Sequence, residues 1–403
     1  MKKIIQIGDI HAREKNPQEV MRCLEMVYQT ALEERPNLII NTGDTFDHRD
    51  VRLDSDTARE IFRFFSRLAG IAPIAILIGT PSHDGQAAMI LNEAAMGHNV
   101  LVCNRPEQLI MIDGEIYRLS NAPPLKQHRE EAVISMIPSP TKQFWASESD
   151  IKTTDAEISE AMTGMLGGFG AQAAEFDCPH VLVGHFSVRG AAISATQVMI
   201  GREIEVGKDQ IALANADLVC LGHIHLQQFI EPNIYYQGAL YRTNYGEVEA
   251  KGFMVHDLRP DGRESHFVET PARKLVKVCA DMRTAIREGI NPVDGKDSHV
   301  KIELTAWQDE ADMIDVEAIR DDYILSGAKE VDIRIIRVPR ENVRSERILK
   351  LTTLRDKVTE RANLNKEPEL PESLLYKCDM MEQTDPDAIF TRLAGQTSEQ
   401  DAA

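Results

Sequence analysis

None of the six cysteines, Cys23, Cys103, Cys178, Cys220, Cys279 and Cys378, belongs to a Cys-x-x-Cys pair. That excludes a thiolate zinc site of the usual spacing, and with Cys103 and Cys220 inside apolar runs it favours reduced thiols in a cytoplasm over a disulfide frame. No apolar run approaches the roughly 20 residues that cross a bilayer, so no membrane association is expected. The start, Met1-Lys2-Lys3, is basic, but the apolar run behind it is short and is broken by Gln6 and Asp9, unlike an export signal. Positive charge is also scarce: 45 Lys and Arg stand against 64 Asp and Glu, a formal charge of −19. This excludes a protein that coats nucleic acid with a broad basic surface. It leaves room for one that meets phosphate through metal ions, which invert the local field of the carboxylates holding them.

What is present suits a soluble globular chain: 403 residues, 43% of them hydrophobic, enough for two or three domains with cores of their own. Lys3 to Ile7 is a β-rich run ending at Gly8, with Asp9-Ile10-His11 directly after it. Pro17 to Glu34 carries Val20, Leu24, Val27 and Leu32 at helical spacing. Leu38-Ile39-Ile40 leads to Gly43-Asp44, a helix-like segment covers about Asp54 to Leu68, and Ile74 to Ile78 leads through Gly79 to His83-Asp84. Strand, helix, strand, helix, strand is the grammar of an α/β protein whose sheet is covered by helices. The pattern returns where Val181-Leu182-Val183 reaches Gly184-His185 and Leu218-Val219-Cys220-Leu221 reaches Gly222-His223-Ile224-His225.

Five apolar runs therefore end in glycine followed closely by Asp or His. Ligand sites in layered α/β sheets gather beyond the carboxyl ends of strands, which would bring Asp9, His11, Asp44, His83, His185, His223 and His225 together. One of these histidines alone would read as structural; their repetition at strand ends points to a shared site. Oxygen and imidazole donors without thiolate suit manganese, iron or zinc. Asp44, with two oxygens, can bridge two ions, and two ions about 3.5 to 4 Å apart form a clamp used on phosphate esters.

Gly8-Asp9-Ile10-His11, Gly43-Asp44, His83-Asp84, Gly184-His185 and Gly222-His223-Ile224-His225 resemble, in order and content, the signature of calcineurin-like metallophosphoesterases. Asp44-Thr45-Phe46-Asp47, and the run from Tyr236-Gln237-Gly238-Ala239 through Arg242 to Glu247 before Lys251-Gly252-Phe253, are most similar to the SbcD-type DNA repair nucleases. The likeness covers about residues 1 to 278 and implies a two-sheet sandwich with flanking helices. It further implies two divalent ions, manganese above all, one held by Asp9, His11, Asp44 and His225, the other by Asp44, His185, His223 and an asparagine. His83 would protonate or stabilise the leaving oxygen, and Asp84 would orient it. The substrate implied is DNA, cleaved by the nuclease subunit of an SbcCD-like complex, with a dimer as the family's assembly.

The third block departs from the family's Gly-Asn-His-Asp: here it is Gly79-Thr80-Pro81-Ser82-His83-Asp84, without the asparagine. Ser82, next to His83, could supply a hydroxyl to the second ion or could simply turn the loop after Pro81. Ala239 stands where the family commonly has serine. Arg242 could touch a substrate phosphate or pair with a surface carboxylate, and His48, His98, His128, His180, His256, His266 and His299 read as surface or packing residues. The departures leave two further readings open: a metallophosphoesterase for nucleotides or small phosphate esters, and a scaffold subunit with weakened catalysis.

Between about 104 and 176, strands are expected over Gln108 to Ile112 and Val133 to Ile137, then a helical run from Asp155. That run becomes rich in glycine at Gly164, Gly167, Gly168 and Gly170, which reads as a connecting loop or a flap. Residues 279 to 339 form a small α+β unit, with alternating strands near Val300 to Leu304 and Val331 to Val338 around a helix from Val316 to Ser326. The likeness makes it a capping domain. Residues 340 to 394 read as helical, with Arg340, Arg344 and Arg347 on one face and Ile348, Leu351, Leu354 and Val358 as an apolar stripe. After a break at Pro368 and Pro371, Leu374, Cys378 and Met381 begin a second stripe. These helices either pack on their own chain or dock on a partner, by resemblance the coiled-coil base of an SbcC-type ATPase. Residues 395 to 403 read as a disordered tail.

Overall fold

The structure is a computed structural model describing residues 2–14, 17–124, 128–140, 155–194, 197, 204–259, 262–283, 295–339, 346–364 and 370–383. The first strands are β1 (Lys2–Ile7), β2 (Leu38–Asn41), β3 (Ile74–Leu77), β4 (Val100–Cys103), β5 (Glu107–Ile112), β6 (Glu115–Arg118), β7 (Glu130–Ile137) and β8 (His180–His185). They continue as β9 (Ser187–Val188), β10 (Glu205–Val206), β11 (Leu218–Gly222), β12 (Gln228–Glu231), β13 (Ile234–Tyr236), β14 (Gly252–Arg259) and β15 (Gly262–Glu269). A final set is β16 (Lys274–Asp281), β17 (Ser298–Trp307) and β18 (Glu330–Val338). The helices used below are α1 (Pro17–Glu34), α2 (Asp56–Leu68), α3 (Asp155–Ala173), α4 (Lys208–Ala212), α5 (Val316–Leu325), α6 (Glu346–Lys350), α7 (Leu354–Leu364) and α8 (Glu372–Gln383).

Two sheets face each other. One has the order β15-β14-β1-β2-β3-β4, the other β12-β13-β11-β8-β7-β5-β6. Side chains alternate across each strand, so Ile4, Leu38, Ile40, Ala75 and Leu77 meet Ile134, Val181, Val183, Leu218 and Cys220 between the sheets. Ile5, Ile7, Ile39, Ile74 and Ile76 face the other way, against α1 and α2. Leu182, Val219 and Leu221 pack against Met162 and Leu166 of α3 and Ile211 of α4. Both faces of each sheet are covered, which is why these strands read as unbroken apolar runs. The expected two-sheet sandwich with flanking helices is the observed architecture.

Helix α1 places Pro17 in its first turn, where the missing N–H costs nothing, and ends at Arg35 in the left-handed region (φ 48°) before Pro36. Its buried stripe is Val20, Leu24, Val27 and Ala31, and the expected fourth member, Leu32, is exposed. At about 100° per residue Ala31 returns to the stripe and Leu32 falls far round the helix. For α2, Ser55 caps the first turn by accepting from the Ala58 N–H at 3.2 Å.

The glycine-rich segment is not a loop or flap: Gly164, Gly167, Gly168 and Gly170 all lie within α3. Ile158, Met162 and Leu166 recur at helical spacing and are wholly buried, and that packing outweighs the low helix propensity of glycine. A Cβ on Gly170 would come within 2.5 Å of the Leu213 carbonyl, so this glycine allows a close approach of the chain after α4.

Two further expectations are corrected. The small sheet, in the order β16-β17-β18, begins at Lys274, so a strand runs across residue 278, where no glycine or proline interrupts the alternation. The single helix expected from Arg340 is instead α6 and α7, interrupted at residues 351–353, where Thr353 accepts from the Asp356 N–H at 3.1 Å and starts the new helix. Arg340, Arg344, Pro368 and the tail at 395–403 lie outside the described residues.

The chain divides into two compact units, Met1–Thr305 with Met313–Ile336, and Ala306–Asp312 with Arg337–Ala403. In the second, Arg355 on α7 pairs with Glu372 and Asp379 of α8 at 2.5 Å each, and Ala362 and Cys378 are buried. Among the described residues no helix is long and apolar enough to cross a membrane.

Gly164 is exposed in mid-helix with open space around a built Cβ, so Gly164→Ala should stabilise the protein by about 1 kcal/mol. Gly170→Ala should destabilise it by about 1 to 3 kcal/mol, and denaturant unfolding of both variants measures the difference. Burial holds the His256 imidazole neutral down to about pH 3, whereas a free imidazole protonates near 6.5. Its contribution to stability is complete above pH 6.5 and is lost as the pH falls toward 3, because only the unfolded state takes up the proton in that window. The melting temperature of His256→Phe should fall less steeply than that of the wild type across this range; equal slopes would remove His256 as a cause.

Candidate metal centre

The site forms where the carboxyl ends of β1, β2, β8 and β11 meet, so both sheets contribute to it. The loops after β1 and β2 run side by side, with Asp9 N–H donating to the Gly43 carbonyl, His11 N–H to the Asp44 carbonyl and Ala12 N–H to the Thr45 carbonyl, each at 2.9 Å. Asp9, His11, Asp44 and His223 all have positive φ, at 46°, 43°, 52° and 91°. Such a conformation costs a residue with a side chain roughly 1 kcal/mol or more, and it persists here because neighbouring hydrogen bonds fix it. Gly43, at φ 108°, turns the second loop, and a Cβ on Gly79 would come within 2.2 Å of Asp44 Oδ1.

Two donor groups result. Asp9, His11 and His225 form one and Asp44, His185 and His223 the other, each with ligand atoms within 4.8 Å of one another. His11 Nε2 faces His225 Nε2 at 2.9 Å, and Asp44 Oδ2 lies 3.3 Å from His185 Nε2 and 3.8 Å from His11 Nε2, between the groups. His185 Nδ1 donates to the Thr42 carbonyl at 2.8 Å, which leaves Nε2 as the atom that could bind a metal. A third constellation joins His11, Asp47 and His83. The His11 and His83 rings meet edge to face at 4.7 Å, and His83 Nδ1 donates to the Asp47 carbonyl at 2.9 Å.

The electrostatics follow from burial. Desolvation raises the Asp9 carboxyl despite the pull of His185 and His225. Desolvation also acts to raise Asp44, but His185, aided by His11 and His83, holds that carboxyl below the usual carboxylate range. For His185, burial opposes charge and Asp44 favours it; the carboxylate wins and lifts the imidazole to about 9. Burial keeps His11 and His225 below their ordinary value.

This arrangement fits divalent cations. The donors are carboxylate oxygens and imidazole nitrogens with no thiolate, and His11 Nδ1 is buried without a hydrogen-bond partner. Two imidazole nitrogens at 2.9 Å require a shared cation or a proton between them. Among the described residues neither Asp9 nor Asp44 pairs with Lys or Arg.

Three expectations change. Ser82 is exposed, and its carbonyl accepts from Arg49 N–H; the hydroxyl at the second group is that of Thr80, 3.2 Å from both Asp44 Oδ2 and His185 Nε2. The reason is a turn in which the Thr80 carbonyl accepts from the His83 and Asp84 N–H groups, which carries Ser82 to the outside. Asp84 does not hold His83. Its carboxylate accepts N–H bonds from Gly79, Thr45 and Phe46 at 3.0, 3.2 and 3.1 Å, tying the second and third loops together, while burial and Asp44 push it up to about 6. Arg242 pairs with no surface carboxylate: it is buried, and its guanidinium donates to the carbonyls of Glu247, Glu249, Ala272 and Arg273.

Several neighbours escaped the sequence reading. Gln197 brackets the His-x-His segment, donating to the His223 carbonyl at 2.6 Å and accepting from the His225 N–H at 3.0 Å. The Tyr241 hydroxyl donates to the His11 carbonyl at 2.7 Å, and buried Lys251, paired with Glu247 and Glu249, donates to the His225 carbonyl at 3.2 Å. Spacing could have signalled Thr80, three residues before His83, and Asp47, three after Asp44. Nothing in the local sequence marks Gln197. Ala239 is wholly buried, and its N–H donates to the His225 carbonyl at 3.2 Å. His48 is exposed, while His98 and His128 pair with Glu115 and Asp113.

Paired carboxylate and imidazole groups at the carboxyl ends of strands in a two-sheet sandwich define a divalent-metal hydrolase. The chain belongs to the calcineurin-like phosphoesterase family, whose model matches residues 2–227. Among solved structures it is similar to a dimetal phosphatase from Danio rerio, at 11% identity and TM-score 0.41 over 67% of this chain and 99% of that one. A Staphylococcus aureus protein assigned provisionally as a 5'-nucleotidase, in complex with alpha-ketoglutarate, is similar at 11% identity and TM-score 0.37 over 68% of this chain and 54% of that one. Among curated proteins none matches in sequence.

Thr80→Val should weaken divalent-cation binding on the order of tenfold, the usual effect of removing a group beside metal ligands, while Ser82→Ala leaves it unchanged. Calorimetric titration of the two variants distinguishes the residues, and the opposite ranking would restore Ser82.

Proposed function

We propose that this protein is a manganese-dependent phosphodiesterase acting on DNA, the nuclease subunit of an SbcCD-like end-processing complex. The observation that carries the phosphoesterase part of the reading is the convergence of Asp9, His11 and His225 with Asp44, His185 and His223, in the motif order of calcineurin-like metallophosphoesterases; the DNA-nuclease part rests on the SbcD likeness of Asp44-Thr45-Phe46-Asp47 and of the run from Tyr236 to Phe253. The segment from Tyr236 to Lys251, where the SbcD likeness continues, supports it by supplying Tyr241 and Lys251 to the backs of His11 and His225.

Asp9, His11 and His225 would hold one ion, His185 and His223 the other, with Asp44 between them. Bound divalent ions supply the positive charge that polarises a phosphate ester and lowers the pKa of water. His83, fixed by donating its Nδ1–H to the Asp47 carbonyl, would in its doubly protonated form hand the Nε2 proton to the departing sugar oxygen and remain as the neutral imidazole, a contribution typically of about 10²- to 10⁴-fold. Asp84 positions this histidine indirectly, by clamping the loops on either side. The small sheet of β16, β17 and β18 would act as a cap that shapes access of DNA. The helices α6, α7 and α8 would dock on the coiled-coil base of an SbcC-type ATPase, a role supported by exposed Leu349, Leu374, Tyr376 and Met381. A dimer in the cytoplasm completes the reading.

The test is cleavage of linear duplex and single-stranded DNA with manganese, with and without the partner ATPase, beside a small phosphate ester. DNA cleavage should fall by about 10²-fold or more in His83→Ala with manganese affinity kept, and Asp44→Ala should lose both cleavage and metal. Hydrolysis of the ester without DNA cleavage would instead establish the small-ester reading. Neither activity, with metal bound, would leave the scaffold reading.

A further inference from the structure

A chain of polar side chains, wholly buried at Gln237, Gln6, Thr42 and His256 and half-buried at Ser265, lies behind Asp9 and reaches across both sheets. Gln237, just after β13, donates from Nε2 to Asp9 Oδ2 at 2.9 Å. Its Oε1 accepts from Gln6 Nε2 of β1 at 2.7 Å and from the Thr42 hydroxyl at 3.2 Å. Gln6 Oε1 in turn accepts from His256 Nε2 of β14 at 2.9 Å, and His256 Nδ1 accepts from the Ser265 hydroxyl of β15 at 2.8 Å.

The partners of Gln6 set the direction of the chain. Gln6 Nε2 also faces the carbonyls of Leu221 and Tyr235, at 3.2 and 3.3 Å, so only its nitrogen end fits there. Its oxygen then requires a donor, which sets the His256 proton on Nε2 and makes Nδ1 the acceptor. Gln237 Oε1 meets the Gln6 amide, a donor at 2.7 Å, beside the Thr42 hydroxyl, whose one proton is shared with the Ile7 carbonyl at 3.3 Å, so the Gln237 amide nitrogen faces Asp9. With Gln237 turned round, an amide oxygen would press on a buried carboxylate. Gly8 leaves room for this packing, since a Cβ there would stand 2.8 Å from Gln237 Nε2 and 2.0 Å from Thr42 Oγ1.

We infer that Gln237 is the positioning residue of Asp9, orienting its carboxylate for a divalent ion, and that Gln6 and His256 lock Gln237 in the donating orientation. The remaining N–H on Asp9 comes from the main chain of His223, at 3.0 Å to Oδ1 and 3.2 Å to Oδ2, so Gln237 is the one side-chain donor among the described residues. Partners of a metal ligand fix its geometry and basicity, and removing one commonly costs about 10- to 100-fold in affinity. The inference rests on Asp9 being a metal ligand.

Manganese(II) binding to the full chain, followed by calorimetry and by loss of the free-ion EPR signal, is the test. Gln237→Met removes the donor at similar volume and should raise the dissociation constant about 10- to 100-fold. Hydrolysis should need correspondingly more manganese, with kcat recovered at saturation, whereas damage to the fold would lower kcat at every concentration. Gln6→Met should weaken binding less, and the double variant should bind no worse than Gln237→Met, because Gln6 acts through Gln237. If Gln237→Met does not fold, the Gln6→Met titration decides. Wild-type affinity in a folded Gln237→Met, or in Gln6→Met when it decides, overturns this inference alone. No manganese binding by the wild-type chain overturns the metal reading with it.

Discussion

Two carboxylates, Asp9 and Asp44, are held out of water at the seam between two sheets, and much of the surrounding structure compensates for that burial. An unpaired buried charge is among the costliest features a fold can carry. Asp44 meets part of its need through His185 and the Thr80 N–H, at 2.5 Å; Asp9 draws on the His223 N–H and Gln237. No lysine or arginine among the described residues closes the balance, and in a protein of formal charge −19 a divalent cation is the natural complement. The left-handed backbone at Asp9, His11, Asp44 and His223 fits the same picture, since strain kept at four positions of the two donor groups serves a constellation rather than a strand end.

The sandwich explains how such a site stays rigid. Each sheet is packed on both faces, so the loops leaving β1, β2, β8 and β11 start from fixed points. Cross-links between loops then remove the remaining freedom. Asp84 ties the second loop to the third, Gln197 clasps the His-x-His segment, and Tyr241 and Lys251 hold the carbonyls behind His11 and His225. Arg242 belongs to this framework as well. Its guanidinium joins four carbonyls where the chain turns toward β16, so a residue that reads as a phosphate contact serves the fold.

Much of the fold and of the donor set is legible in the linear sequence, because both depend on short-range pattern. The strands that end in the site are apolar runs, and Asp or His follows each within a few residues. The family pattern is carried by those same blocks. Misreadings arise where a local signal competes with packing. Four glycines look like a loop but sit in α3, because Ile158, Met162 and Leu166 seal that helix onto the second sheet. Leu32 looks like a core residue but is displaced by Ala31, since a stripe follows angle rather than hydrophobicity.

The sequence by itself determined which residues could be ligands and that α/β strand ends would present them, since residue type and periodicity are properties of the chain. Only the tertiary structure decided how they are grouped, that Thr80 rather than Ser82 reaches the second group, and that Asp84 clamps loops rather than bonding His83 directly. It alone placed Gln6, Gln237 and His256 in one line behind Asp9. The reason is physical: these contacts join residues as many as 250 positions apart, and their direction is fixed by which donors face which acceptors once two sheets have closed on each other.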